Sequence, residues 1–305
     1  MFGTKLVADM ITRSSENAED RRRFLTSAGA LGLGIVGASM LPAGAALADA
    51  PGGPSDGAVL NFALNLEYLE GEFYSYAVHG YGLADNLTHG TGKRGGVTGG
   101  KKVPFKTRRI RQYAEEIAGD ELAHVKFLRG ALGSAAVSRP AIDIRNSFTA
   151  AARAAKLIGA HQTFDPYANE NNFLLAAFLF EDVGVTAYKG AAPLITNKTY
   201  LEAAAGILSV EAYHAATIRT SLFEKGLTSQ VAKLSAARDS LDGKTDDDQG
   251  VSERGSANIT PTDRNGITYS RTYDKVLNIV YLNPAKTTKG GFFPNGVNGA
   301  INTSA

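Results

Sequence analysis

Two motifs of the form Glu-x-x-His combine residue types that bind transition metals. Glu121 and His124 form the first motif, and Glu211 and His214 form the second. On an α-helix, residues three apart lie on the same face, so each motif points a carboxylate and an imidazole at one object. Carboxylate oxygen and imidazole nitrogen together suit a transition-metal ion. The alternative is that each motif is a solvated pair on the protein surface. Apolar neighbours surround both motifs and argue against this alternative, because they indicate buried helix faces. Burying Glu and His there would be costly unless a partner such as a metal ion satisfied them.

A second repeated spacing supplies two more carboxylates. Glu67 precedes Tyr74 by seven positions, and Glu181 precedes Tyr188 by seven positions. This spacing returns nearly to the same helix face. The chain therefore uses one unit twice, Glu-x6-Tyr followed by Glu-x-x-His, which is the set that a dinuclear site in a four-helix bundle needs. The two tyrosines are predicted either to pack in the core or to donate hydrogen bonds that orient the carboxylates one or two turns away.

The first carboxylate has alternatives. Glu70 lies one turn beyond Glu67 on nearly the same face, whereas Glu72 points elsewhere. Because the seven-residue register with a tyrosine selects Glu67, we predict Glu67 as the ligand. Beside Glu181 only Asp182 competes, and it lies about 100° round the helix.

The ordered motifs resemble the ferritin-like superfamily of carboxylate-bridged di-metal proteins. Three further stretches are similar to exported bacterial proteins with a ferritin-like domain and to plant desiccation-related proteins. They are LNLEYLE at 64–70, VLNIVY at 276–281 and GGFFPNGVNG at 290–299. The resemblance covers roughly residues 57–301.

The resemblance implies a centre of two iron or two manganese ions. Glu121 and Glu211 would bridge the ions, and each ion would have one further carboxylate and one imidazole, supplied by Glu67, His124, Glu181 and His214. Such a centre would act on dioxygen, peroxide or ferrous iron, in protection against oxidative or drying stress. The alternative is a non-catalytic metal-binding or structural stress protein of the envelope, in which metal only stabilises the bundle.

The apolar pattern predicts an all-α protein. Four long helices are expected at about 58–78, 105–132, 169–192 and 197–225. Residues 133–168 would form the long second-to-third helix crossover of a ferritin-like bundle, whose second and third helices run parallel. We therefore predict a ferritin-like four-helix bundle over 58–225. A partly helical C-terminal extension over 226–305, with short helices near 229–241 and 273–282, would dock on it.

Residues 1–48 have the features of an export signal. Three arginines at 21–23 resemble a twin-arginine signal, and an apolar run and a small-x-small cleavage site follow them. The apolar run is too short to span a bilayer, with an uncleaved membrane anchor as the alternative. We expect cleavage, a linker over 49–57, and a periplasmic or secreted mature chain that has no stable membrane insertion.

Composition excludes several function classes. A formal net charge of +2 gives no reason to expect a nucleic-acid partner. The absence of cysteine excludes disulfides, thiolate catalysis and zinc–thiolate sites.

Two stretches of the C-terminal extension have a distinct composition. The acids at 246–248 lack the order of a calcium loop and are predicted to be solvated. The apolar segment at 292–294 is expected to pack on the bundle or to form an interface, for which a homo-oligomer is one possibility.

Overall fold

The protein is described here by a computed structural model, which covers residues 53–253 and 255–305 and whose regular secondary structure is almost entirely helical. Its α-helices in chain order are α1 Asp56–His79, α2 Arg108–Leu132, α3 Asn146–Ala154, α4 Glu170–Ala191, α5 Lys198–Glu224, α6 Thr228–Asp239 and α7 Tyr273–Val280. Four two-residue strands accompany them: β1 Val97–Thr98, β2 Ile142–Asp143, β3 Ser252–Glu253 and β4 Ser256–Ala257.

The four long helices α1, α2, α4 and α5 form the bundle. Helix α1 packs along α2 and helix α4 packs along α5, and the two pairs meet through α1–α4 and α2–α5 contacts. The segment between α2 and α4 is the long crossover, and it contains α3. The predicted all-α four-helix bundle, with its crossover and its partly helical C-terminal extension, is confirmed.

Polar side chains cap the first turns of three bundle helices, α1, α4 and α5. Ser55 accepts a hydrogen bond from the amide of Ala58 at the start of α1, and Asn169 accepts one from Asn172 at the start of α4. Asn197 accepts from the amides of Thr199 and Tyr200 at the start of α5, a residue type that is favoured at this position. These caps satisfy backbone donors that have no partner within the helix.

The segments that connect the bundle helices pair with one another, and the C-terminal extension packs on the bundle. Strand β1, in the connection between α1 and α2, pairs in parallel with β2 of the crossover, with Val97 opposite Ile142. Helices α6 and α7 of the C-terminal extension both contact α4. The ring of Phe292 lies 5.0 Å from that of Phe148 on α3 and 4.9 Å from that of Phe180 on α4. The C-terminal segment therefore packs into the core in this structure.

A buried ion network joins α4, α5, α6 and the C-terminal segment. Asp182 accepts from Arg219 at 2.7 Å and from Arg238 at 2.9 Å. Asp248 pairs with both Arg238 and Arg271. The prediction of a solvated loop is therefore wrong for Asp248, because two arginines of the C-terminal half cover it and balance its charge. Removing one partner of such a network leaves an uncompensated buried charge.

Several predictions concern segments or boundaries that this structure does not test. The export signal and the start of the linker lie outside the described residues, and the domain boundaries at 48, 57 and 225 stay predictions. Within residues 53–253 and 255–305, none of the helices has both the length and the hydrophobicity that crossing a bilayer demands.

Candidate metal centre

Each bundle helix contributes a buried carboxylate to one point in the core. The four glutamates are completely buried, with exposed fractions of 0%, and they are Glu67 on α1, Glu121 on α2, Glu181 on α4 and Glu211 on α5. His124 and His214 are 8% and 5% exposed. Since each glutamate faces inward from its own helix, the bundle core brings together the six side chains that the sequence motifs single out.

The six side chains form two groups that share two members. Glu67, Glu121, His124 and Glu211 form one group, and Glu181 with His214 joins the same two shared glutamates in the other. In each group, the possible ligand atoms all lie within 4.8 Å of one another. Glu121 and Glu211 belong to both groups, so their positions are those of bridging carboxylates.

Both histidines turn the Nδ1 atom toward the carboxylates. His124 Nδ1 lies 3.2 Å from Glu67 Oε2 and 3.5 Å from Glu121 Oε2. His214 Nδ1 lies 3.1 Å from Glu121 Oε1 and 3.5 Å from Glu181 Oε2. The two imidazole centroids are 6.4 Å apart. In each half of the site, Nδ1 of the histidine therefore lies beside Glu121 and beside one glutamate that the other half lacks.

The chemistry of these atoms fits two cations. Six buried atoms of the shared glutamates and the histidines have no hydrogen-bond partner of acceptable geometry, namely both carboxylate oxygens of Glu121 and of Glu211, His124 Nδ1 and His214 Nδ1. One oxygen each of Glu67 and Glu181 is in the same state. Buried polar atoms are normally satisfied, and four buried carboxylates are costly unless positive charge balances them. Two divalent ions would supply that charge, with the orphaned atoms as their ligands.

The two tyrosines hold these carboxylates across the bundle. Tyr74 on α1 donates its hydroxyl hydrogen bond to Glu181 Oε1 on α4, and Tyr188 on α4 donates to Glu67 Oε1 on α1. The hydrogen bonds predicted from the repeat are therefore present, but they connect different helices rather than residues one or two turns apart. Each bond leaves the other carboxylate oxygen, Glu181 Oε2 or Glu67 Oε2, facing the histidine of its own group.

An acidic residue that the motif analysis missed supports one histidine. Asp120 Oδ2 lies 3.2 Å from His214 Nε2 and accepts a hydrogen bond from it. An imidazole that donates through Nε2 can keep Nδ1 free for a metal ion. Asp120 directly precedes Glu121, but its partner lies on another helix, so sequence spacing gives no signal for the pair.

The rival acids take different positions. Glu70 is buried, with Oε1 unpaired, and it stands outside the two ligand groups. Glu72 pairs with Arg139 and accepts from the Leu83 amide at 3.1 Å, away from the centre. Asp182 belongs to the arginine network. The structure thus brings Glu67 rather than any of these into the cluster.

Burial and mutual charge set the protonation of the metal-free cluster. Burial raises the pKa of Glu67 to about 7. Burial, together with neighbouring carboxylates, raises the pKa of Glu211 well above its ordinary value. Burial opposes the charge of His124 and His214, but the facing carboxylates outweigh it and raise the pKa of His124 to about 11, with that of His214 also raised. Without metal the cluster would therefore retain protons, which cations would displace.

Gly184 on α4 allows the shared glutamate of α5 to approach. A Cβ atom at Gly184 would lie well inside 3.0 Å of Glu211 Oε2. Any larger residue would push against the carboxylate, so glycine is a requirement of the close helix contact rather than of a backbone turn.

Another acidic group outside the bundle centre comprises Asp239, Asp242 and Asp248. Arg271 Nε lies 2.6 Å from Asp242 Oδ2, and Arg271 Nη2 lies 2.6 Å from Asp248 Oδ2. Guanidinium groups already balance most of this negative charge. The group belongs to the ion network and offers less to a cation than the bundle centre does.

Comparison with known proteins agrees with the fold and the cluster. Residues 55–224, more than half of the chain, match the family described as ferritin-like domain. The chain is 30% identical over 268 residues to the desiccation-related protein PCC13-62 of Craterostigma plantagineum, with 80% of this chain and 83% of that one covered. It is 27% identical over 267 residues to the ferritin-like catalase Nec2 of Nesocodon mauritianus, with the same shares covered. No solved structure gives a significant match. The chain belongs to the ferritin-like domain family.

Proposed function

We propose that the bundle holds two iron or two manganese ions and that the protein catalyses redox turnover of a small oxygen species. One ion would be held by Glu67 and His124 and the other by Glu181 and His214, with the two shared glutamates between them. The observation that carries this proposal is the pair of four-residue groups with shared carboxylates and orphaned donor atoms. Carboxylate and imidazole ligands suit both metals.

Hydrogen peroxide is the substrate that we favour over dioxygen and ferrous iron, because one relative is named a ferritin-like catalase. In the net reaction one peroxide is oxidised to dioxygen and a second is reduced to two water molecules. The bound metals would supply the two-electron exchange. The protein residues orient and insulate the site: the hydroxyls of Tyr74 and Tyr188 fix two carboxylates, and the buried core excludes bulk water.

The experiment is oxygen release from peroxide by protein loaded separately with iron and with manganese. We expect release with at least one metal, and loss of both metal and activity in the His124→Ala/His214→Ala double variant. The exposed His161 offers a matched control, since His161→Ala leaves the core unchanged. Wild-type metal content in the double variant would refute the site. Oxygen uptake on addition of ferrous iron, without release from peroxide, would make ferrous iron the substrate.

The second candidate function is a metal-stabilised protein without turnover, and the similarity to a desiccation-related protein favours it. A ligand that binds only the folded state stabilises it by RT ln(1 + [L]/Kd). In this case metal would raise the melting temperature, while peroxide and ferrous iron would both remain unconsumed. Thermal unfolding and oxygen measurements on the same samples separate the two functions.

We propose further that the protein is exported by the twin-arginine route to the periplasm or beyond. The three arginines at 21–23, the apolar run and the small-x-small site support this proposal. Replacing the three arginines with lysines is expected to retain the precursor in the cytoplasm, and the wild-type mature chain should begin near residue 49. Normal export of the lysine variant would contradict the twin-arginine route.

A further inference from the structure

An apolar cavity adjoins the flank of the metal centre. It has a volume of about 160 Å³ and lies between α1, α3, α4, α6 and α7. Leucine, alanine, valine and phenylalanine side chains provide most of its wall, including Leu69, Val183 and Leu234. Its exposed lining residues are Ala150 and Ala154 on α3 and Ser240 just beyond the end of α6, which places an opening between these helices.

The inner wall of the cavity contains a polar atom without a partner. Glu70 lines the cavity and is only 5% exposed, and its Oε1 atom has no hydrogen-bond partner. Gly184 lines the same wall and adjoins both Glu70 and the shared Glu211. A molecule at this end would therefore lie beside the carboxylates of the metal centre.

The size and polarity of the cavity define the ligand. A dry apolar cavity of about 150 Å³ binds benzene, so the present volume accommodates a body of about six carbon atoms. A hydroxyl group can donate to a carboxylate and can accept from a carboxylic acid, so it can satisfy Glu70 in either protonation state. We propose that the cavity binds a small uncharged molecule with an apolar body and a single hydroxyl group, oriented with the hydroxyl against Glu70.

Phenol and toluene are the probes for this proposal, because they have similar size and differ in the hydroxyl. Calorimetric titration of both compounds uses the full mature protein, with metal and after chelation. None of the six proposed metal ligands lines the cavity, so we expect phenol to bind in both states. Failure of metal binding would refute the proposed function and leave this result unaffected.

The location is tested with two neighbouring alanines on α6. Ala237 lines the cavity, so Ala237→Phe should fill it and reduce the affinity for both probes at least tenfold. Ala236 is exposed and does not line the cavity, so Ala236→Phe should bind as wild type does. Xenon-pressurised crystals of the wild type should show xenon between Leu69 and Val183. Absence of binding by the wild type, or unchanged binding by Ala237→Phe, would overturn the proposal.

The orientation is tested by two changes at Glu70. Glu70→Gln keeps a hydrogen-bonding group, so the ratio of phenol to toluene affinity should stay within about twofold of wild type. Glu70→Met removes that group, and the ratio should fall about fivefold to tenfold, the effect of one hydrogen bond to a buried group. An unchanged ratio in Glu70→Met would refute the position of the hydroxyl. Phenol binding that requires metal would place phenol on the metal centre and would overturn the cavity site.

Discussion

The hydrogen bonds of Tyr74 and Tyr188 run between α1 and α4 in opposite directions, and they predict which of the two proposed metal positions each hydroxyl supports. Tyr74 is on α1 but donates to Glu181 of α4, so Tyr74→Phe should weaken the position formed by Glu181 and His214. Tyr188 donates in the opposite direction, so Tyr188→Phe should weaken the position of Glu67. An arrangement within single helices would give the reverse assignment.

The size of the effect follows from burial. Each substitution leaves a fully buried carboxylate oxygen without its donor, and a hydrogen bond to a charged group contributes about 1.5–3 kcal/mol. Outer hydrogen-bond partners of metal ligands typically change metal affinity by about 10- to 100-fold, which is the same range in free energy. We therefore expect a loss of at least about tenfold at one position, with a much smaller change at the other.

Anomalous scattering from crystals grown at limiting metal measures the two occupancies separately. Tyr281 provides the control, because its hydroxyl is also buried but donates to the carbonyl of Asn302, away from the centre. Tyr281→Phe should leave both occupancies unchanged. Depletion of the Glu67 position by Tyr74→Phe, or equal depletion of both positions, would refute the crossed arrangement.

Two more predictions concern the cluster itself. Gly184→Ala should displace Glu211, the shared glutamate of α5, destabilise the fold by about 1–3 kcal/mol through overpacking and lower the metal content. Gly206→Ala is the control: a Cβ there has no heavy atom within 4 Å, so it should stabilise the helix by about 0.5–1 kcal/mol. Thermal unfolding and metal analysis of both variants check this, and retained metal in Gly184→Ala would contradict it. In metal-free protein, the pKa of Glu67 is raised from 4.5 to about 7 and that of His124 from 6.5 to about 11. The folded state therefore binds protons more tightly than the unfolded chain does, and it loses stability as pH rises, from about 4.5 to about 7 through Glu67 and from about 6.5 to about 11 through His124. Glu67 alone accounts for a loss of about 3 kcal/mol in folding free energy, at about 1.36 kcal/mol per pKa unit. Chelated protein should therefore melt at a lower temperature at pH 8.5 than at pH 5.5, and metal should stabilise it more at the higher pH. The opposite order of melting temperatures would refute this account of protonation.

The sequence predicted the six side chains that meet in the bundle core, because helix periodicity fixes the helix face on which each one lies. Spacings of three and seven place side chains on one face whatever the neighbouring helices do, so the motif of Glu121 and its repeat identified the inward residues. The same geometry disfavoured Glu72, which the structure places against Arg139. The helix ends also follow local signals, as Asn197 shows.

What the sequence could not predict depends on how separate segments pack. Asp248 stands in a polar stretch, and only the folded C-terminal segment brings Arg238 and Arg271 to it. The crossed hydrogen bonds likewise require the relative position of α1 and α4. Repeat spacing specifies that a tyrosine and a glutamate face inward, but it does not specify which glutamate the hydroxyl reaches.

The repeat also implies that the two halves of the proposed metal site are equivalent, but the structure makes them unequal. Asp120 precedes Glu121 and accepts a hydrogen bond from His214, whereas the corresponding position before Glu211 is Val210, which has no polar side chain. A carboxylate behind a ligating imidazole typically raises metal affinity by about 10- to 100-fold. The first equivalent of metal should therefore occupy the position of Glu181 and His214.

Anomalous maps at one equivalent of metal test this order of filling. Asp120→Asn should reduce the preference for the position of Glu181 and His214, because it removes the negative charge behind His214 while keeping a hydrogen-bonding group. Because Asp120 is partly exposed, with a side-chain exposure of 37%, the substitution should leave the bundle intact. Equal filling in the wild type would mean that the two halves are equivalent despite Asp120. An unchanged preference in Asp120→Asn would assign the asymmetry to a feature other than this carboxylate.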